Sequence, residues 1–411
     1  MVASTDIKFY VHTNTNAPQL TNNYGCMIDV LDACLVNGFG SQTVSTLTAS
    51  GTTVTATFGS AHNFMQYQVI KITGATQTEY NGEFRILTIP DSSSLTFELA
   101  TAPSVTTATG TIVFSLPPLG WEKPFSSAGK AAYRSLNLLL PSRPFLRVVD
   151  ELDPVWTSTY AKYAKVGIVE DMTDIDTMSG VQAPYDSGNP DKNWVGTGSG
   201  ATAINGWAKW YYARSGNARD NTTDASKPLS ANRNYLVVGN SDTFYIIPHI
   251  STGNYGVIYG FGAFDSFIQV DTSNTFLMST LNYVNASASY VPVNFTTGAS
   301  NHVRQLIVFK KYDQLQQYQL CHLTALNPLN SASFMSGTAS GISNDLPITN
   351  CFIFENNQVV RGDLPLLKWK LNAAPMSDLQ VFHQNGKIML NKFVSPYQSY
   401  DAAVVFDVGG L

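Results

Sequence analysis

The chain has 411 residues and a net charge of -5, with 24 basic and 29 acidic side chains. Charged residues make up 13%, about half the ~25% of an ordinary soluble protein, and Ser, Thr, Asn and Gln stand in their place. A hydrophobic share of 44% with 20 Tyr and 22 Phe excludes a disordered chain, and the near-neutral charge excludes a broad field for nucleic acid or anionic lipid.

At the N-terminus, residues 1–18 lack a basic segment followed by an apolar one, so no export signal is expected there. No run of about 18 apolar residues occurs, and no membrane insertion is expected. The four cysteines, Cys26, Cys34, Cys321 and Cys351, are too sparse for a disulfide scaffold and read as reduced thiols. These features place folding in a cytoplasm.

The spacing of Ile28, Leu31 and Leu35 predicts one helix from Asn23 or Tyr24 to Val36, stopped at Asn37-Gly38. From Gln42 to about Ser115 the pattern changes to short runs rich in β-branched and aromatic residues. Turn signals such as Ser50-Gly51, Asn81-Gly82 and Pro90-Asp91 separate them, as in a small all-β barrel or sandwich. Residues 116–147 are rich in proline (Pro117, Pro118, Pro124, Pro141, Pro144) and read as an extended strap. Strand-like runs follow at 147–149, 165–169, 207–212, 235–238, 244–248, 256–261, 303–309, 350–355, 387–390 and 403–406, with long polar loops at 178–205 and 216–234. The expected fold is mainly β. A strand and helix over 1–40 pack on the main domain, 41–115 form a small inserted β module, and 116–411 form a larger β-sandwich-like domain with long loops.

Chemistry-bearing constellations are weak. His and Cys do not cluster at metal-ligand spacing, and no cofactor is implied. The acidic run from Glu170 to Asp176 lacks the glycine and terminal Glu of a calcium loop, so Asp174 and Asp176 read first as turn caps, with calcium binding or a glycosidase pair as alternatives. No nucleophile elbow or phosphate loop is present. Gly260-Phe261-Gly262 follows a strand without a helix signal, which suits close backbone approach rather than dinucleotide binding. Arg361-Gly362-Asp363 reads as a turn before Leu364-Pro365. Sequons at Asn221, Asn285 and Asn294 matter only after export. Trp194, Trp207, Trp210, Tyr211 and Tyr212 crowd one region, to be read as core, as a protein interface or as a glycan platform. No catalytic, cofactor-binding or metal-ligating residue is assigned.

Several blocks, in order along most of the chain, together resemble a family of virion structural proteins of tailed bacteriophages, tail- or baseplate-associated. They are residues 7–10 (IKFY), 31–40 (LDACLVNGFG), 72–75 (ITGA), 80–82 (YNG), 118–125 (PLGWEKPF), 130–134 (KAAYR), 172–177 (MTDIDT), 259–266 (YGFGAFDS) and 361–365 (RGDLP). The family block usually continues Leu-Pro-Gly-Leu, whereas Leu366 stands at the glycine here. The resemblance implies no catalytic residues. It implies a β-rich building block assembled in many copies on a virion, not an enzyme. Its partners would be other virion proteins and copies of itself, with a trimer as the first expectation, and a host surface glycan as a further one. The alternatives are a receptor- or glycan-binding fibre component, a head decoration or neck protein, and a glycan-degrading enzyme.

Overall fold

The computed structural model describes residues 3–154, 157–196, 206–213, 227–250, 256–281, 305–324, 348–355, 359–370, 376–394 and 402–410. The fold is mainly β, with one short N-terminal helix and three antiparallel sheets. Helix α1 spans Cys26–Leu31 and continues as a π-helical turn, Asp32–Asn37. Met27, Val30, Leu31, Cys34 and Leu35 are buried, while Asp29 faces out, as the helical spacing requires. Gly38 ends the turn with φ +71, and a Cβ there would lie 2.6 Å from the Leu116 carbonyl oxygen.

Between Phe39 and Leu116 the chain forms its own seven-stranded sheet. The strands run in the order Gly82–Arg85, Val69–Ala75, Gly110–Leu116, Phe39–Ser50, Thr53–Phe58, Ser94–Glu98, Thr88–Asp91. Phe39 pairs with Leu116, so the two ends of the segment meet. Alternation does the sorting: Val54, Ala56 and Phe58 point in while Thr53 and Thr55 point out. Phe58 and Phe97 each pack a ring against Phe114.

The middle sheet is also seven-stranded, ordered Thr280–Leu281, Ala208–Tyr211, Tyr163–Met172, Phe145–Val149, Lys130–Ser135, Trp121–Ser127, with Met178–Ala183 added along Tyr163–Met172. Two expectations are corrected here. The proline-rich strap contains the hairpin Trp121–Ser127/Lys130–Ser135, because Pro124 lies on the outermost strand, where no neighbour needs its missing N–H. The polar segment 178–205 opens with a strand, whose Gly180 at φ +71 hides it from a pattern reading.

The large sheet has thirteen strands, ordered Lys8–Val11, Tyr235–Gly239, Thr243–Pro248, Tyr259–Ala263, Thr275–Met278, Gln305–Val308, Gln319–Thr324, Ile348–Glu355, Val359–Lys370, Ala402–Gly410, Lys387–Val394, Val381–Gln384, with Asp265–Ser266 added along Val359–Lys370. From Lys8–Val11 to Thr275–Met278 both of its faces are buried. Tyr10, Val237, Phe244, Ile246, Leu277 and Ile307 face the middle sheet and helix, in a core that continues into the small sheet. Phe9, Leu236, Val238, Tyr245, Phe276 and Leu306 face the other way, into a core that the large sheet closes by curling on itself. Tyr245 meets Phe406 across that second core at 5.6 Å and donates to the Pro365 carbonyl at 2.8 Å.

The strand Val359–Lys370 corrects the reading of Arg361-Gly362-Asp363 as a turn. Gly362 pairs with both Ile353 and Ser266, and a Cβ there would lie 2.1 Å from the Asp265 carbonyl oxygen. Farther along, Leu366 sits in the left-handed region at φ +65, half-buried against the second core. Such a conformation costs a side chain-bearing residue ~1–2 kcal/mol and glycine little. At position 366 the usual order of stabilities is therefore reversed. Leu366→Gly is expected to be more stable than Leu366→Ala by about 1 kcal/mol in urea unfolding, and an alanine variant at least as stable as the glycine variant would contradict this.

Candidate functional site

The aromatic group is core. Trp194, Trp207, Trp210, Tyr211 and Tyr212 are all buried, which favours the core reading over an exposed interface or glycan platform. Two-sided packing explains it. Trp210 stacks on Tyr259 at 5.9 Å and meets Phe244 edge-on, and its indole N–H donates to the Met278 carbonyl at 2.8 Å. Trp121 meets the same Phe244 from a neighbouring position and donates to the Asn240 carbonyl at 2.9 Å. These two tryptophans bolt the middle sheet onto the large one.

The acidic run forms a capped turn. Asp174 Oδ1 accepts from the Asp176 and Thr177 N–H groups at 2.8 and 2.9 Å. Hydrogen bonds from Thr177 and from the Asp176 N–H hold the Asp174 carboxyl below the usual carboxylate range. Asp176 accepts from Lys130 and from Arg147, and Lys130 above all pulls its carboxyl down. No group of three or more His, Cys, Asp or Glu able to hold a metal occurs among the described residues. Gly262 approaches the Asp242 backbone so closely that a Cβ would lie 2.2 Å from its oxygen.

Arg361 is fully buried. Its guanidinium donates to Glu355 at 2.7 Å, to Asp271 at 2.8 Å and to the Lys310 carbonyl at 2.9 Å. Burial alone would raise the Asp271 carboxyl, but bonds from Arg361, Ser273 and Ser266 outweigh it and hold it low. All four cysteines are buried, and burial raises the Cys26, Cys34 and Cys321 thiols, which removes them as nucleophiles. The sequons Asn221, Asn285 and Asn294, and parts of the loops 178–205 and 216–234, lie outside the described residues.

One carboxylate has strongly perturbed acidity. Asp150 is completely buried, and that burial pushes its carboxyl up to about 7 against the hydrogen bonds it accepts. It accepts from the Tyr212 hydroxyl at 2.7 Å and from the Met27 N–H at 3.1 Å. The group thus joins helix α1, the end of strand Phe145–Val149 and the end of strand Ala208–Tyr211. Sealed from solvent and held by these bonds, it clasps the three elements together.

Two features do face solvent. The first is the loop at 136–140, where Leu138 is 77% and Leu139 is 91% exposed beside exposed Leu136. The loop is held firmly: Asn137 donates to Asp242 at 2.9 Å and accepts from the Leu139 N–H at 3.0 Å, while Leu136 N–H reaches the Gly120 carbonyl. Arg134 and Arg143, which flank it, both bind Glu122. The second is an open cleft of about 880 Å³ between residues 180–187 and residues 311–320. Four glutamines (Gln182, Gln316, Gln317, Gln319) and two tyrosines (Tyr185, Tyr318) dominate its lining. Neither feature carries a local sequence motif; the walls of the cleft come from the middle sheet and the large sheet, far apart in the chain.

No family model matches the chain, and no curated protein matches it. Among solved structures, the chain is similar to the endosialidase of phage phi92 with 8% identity and a TM-score of 0.17, over 90% of this chain and 52% of that one. The chain spans about half the length of that protein, and a likeness of this size carries no argument. Among the described residues, no helix is long and apolar enough to cross a membrane.

The Asp150 clasp has a pH signature. Its folded pKa of about 7 lies above the ordinary ~3.9 of an unfolded Asp, so the folded state holds the proton more tightly. Its contribution to stability therefore rises as pH falls from about 7 towards 4. His12 and His249, both lowered first by burial, act in the opposite direction below about pH 6.5, but equally in wild type and variant. The stability of wild type relative to Asp150→Asn is expected to grow as pH is lowered from 8 to 5, by up to ~1.4 kcal/mol per pH unit. A difference independent of pH in urea unfolding would remove this assignment.

Proposed function

We propose that the chain is a non-catalytic structural component of a tailed-bacteriophage virion, tail- or baseplate-associated, that works through contacts between subunits. The observation that carries the assembly part of this reading is the leucine loop at 136–140. Three large apolar side chains stand in solvent on a backbone that hydrogen bonds already hold rigid. A monomer gains nothing from such a knob, whereas a preformed apolar projection loses little entropy when a neighbouring subunit covers it. The virion assignment rests on the ordered sequence blocks given above.

Two further features support the reading. Some of the few charges the chain carries are paired inside it, as in Arg361–Glu355 and Lys165–Asp153, and a surface poor in charge is cheap to desolvate. The acids the sequence offered for glycan cleavage are a turn cap, Asp174, and an ion-pair member, Asp176. In that role the protein releases no oligosaccharide from host polysaccharide.

The occupant of the leucine loop is a second copy of this chain. Sedimentation velocity at micromolar concentration is expected to show a homo-oligomer, with a trimer as the first expectation. The double variant Leu138→Asp/Leu139→Asp should sediment as a smaller species at unchanged melting temperature, since both side chains are outside the core. A wild-type monomer, or an oligomer indifferent to the double substitution, would contradict the proposal.

A further inference from the structure

The cleft between residues 180–187 and 311–320 is separate from the leucine loop, and its chemistry is specific. At about 880 Å³ it falls within the ~300–1,000 Å³ of small-molecule sites, and its four glutamines outnumber its two large aliphatic side chains, Val181 and Leu320. Each glutamine offers one acceptor and two donors on a planar group, which matches vicinal hydroxyls that both give and accept hydrogen bonds. Gln182, on strand Met178–Ala183, has its amide oxygen buried with no hydrogen-bond partner among the described residues. An acceptor in that condition costs free energy until a donor reaches it.

Tyr185 is exposed, and Tyr318 donates to its carbonyl oxygen at 3.3 Å, so the two tyrosines are coupled across the cleft. A tyrosine ring gives an apolar face to the C–H side of a sugar ring while its hydroxyl stays wet. The lining carries one lysine, Lys311, and one aspartate, Asp186, and so no net charge. Asp186 is committed: it accepts from the Gly188 N–H at 2.9 Å and from Asn189 at 3.1 Å, and these bonds hold its carboxyl low. Glu170, behind strand Met178–Ala183, is likewise held by Lys310 and by the Val181 N–H. With no second carboxylate among the described lining residues, the cleft has no acid pair for hydrolysis.

We propose that this cleft binds a neutral oligosaccharide without cleaving it, through the glutamine amides and the Tyr185–Tyr318 pair. This goes beyond the structural role and is independent of it, because the leucine loop and the cleft share no residue.

The test uses the full chain on a microarray of neutral and acidic oligosaccharides, followed by calorimetry with the neutral glycan retained best. Tyr185→Ala and Gln317→Ala both alter exposed side chains, so thermal melting should be unchanged while affinity falls about five- to tenfold each. Lys311→Met should leave affinity unchanged. Intact glycan recovered after incubation completes the expected result. Failure to retain any neutral glycan at millimolar concentration, affinity indifferent to both cleft variants, or a preference for acidic glycans lost in Lys311→Met would each overturn the proposal.

Discussion

Burial of both faces of the first strands of the large sheet is the constraint on which the rest of the molecule depends. A strand covered on one side can spend alternate residues on water; a strand covered on both sides cannot. Hence Phe9 and Val11 enter one core while Tyr10, between them, enters the other, and Leu236 and Val238 flank Val237 in the same way. Every polar group caught in such a strand must find its partner inside the protein. Tyr10 donates to the Pro117 carbonyl, and Arg361 takes two carboxylates and a carbonyl. The middle sheet and helix α1 exist, in energetic terms, to cover the first face; the curl of the large sheet covers the second.

The same constraint explains what could be read from the sequence. Where one face is wet, as in Thr53–Phe58, alternation marks the strand and its orientation at once. The helix was legible because Asp29 falls opposite Ile28, Leu31 and Leu35, although its last turn is π-helical rather than α-helical. In the doubly covered strands the alternation vanishes, so Trp207–Tyr212 could not be told from an exposed aromatic platform. Pro124 concealed a hairpin because a pattern reading cannot see that its strand lies at an edge. Arg361 concealed a core strand because its partners Glu355 and Asp271 come from other strands and loops. The cleft left no signal at all. Gln182 lies in the middle sheet and Gln317 beside a strand of the large sheet, so they meet across the cleft by tertiary packing, not by spacing.

The distribution of charge links fold to role. A chain with so few ionisable groups has placed several of them in internal pairs, including Lys165 with Asp153 and Arg361 with Glu355. Buried pairs of this kind add little net stability but penalise every arrangement that separates them, and so favour one fold over its alternatives. Asp150 does the same for the N-terminal helix, joining it to the middle sheet through Met27 and Tyr212. What remains outside is a surface poor in charge, with a rigid leucine loop and a cleft rich in glutamine.

The central claim is that the exposed leucine loop is a subunit contact. Its most direct test is a side-chain-resolution cryo-electron microscopy map of the assembled particle that contains this chain. The account predicts Leu138 and Leu139 within about 4 Å of apolar atoms of a neighbouring subunit. A map in which both leucines face solvent at every position the chain occupies would contradict it.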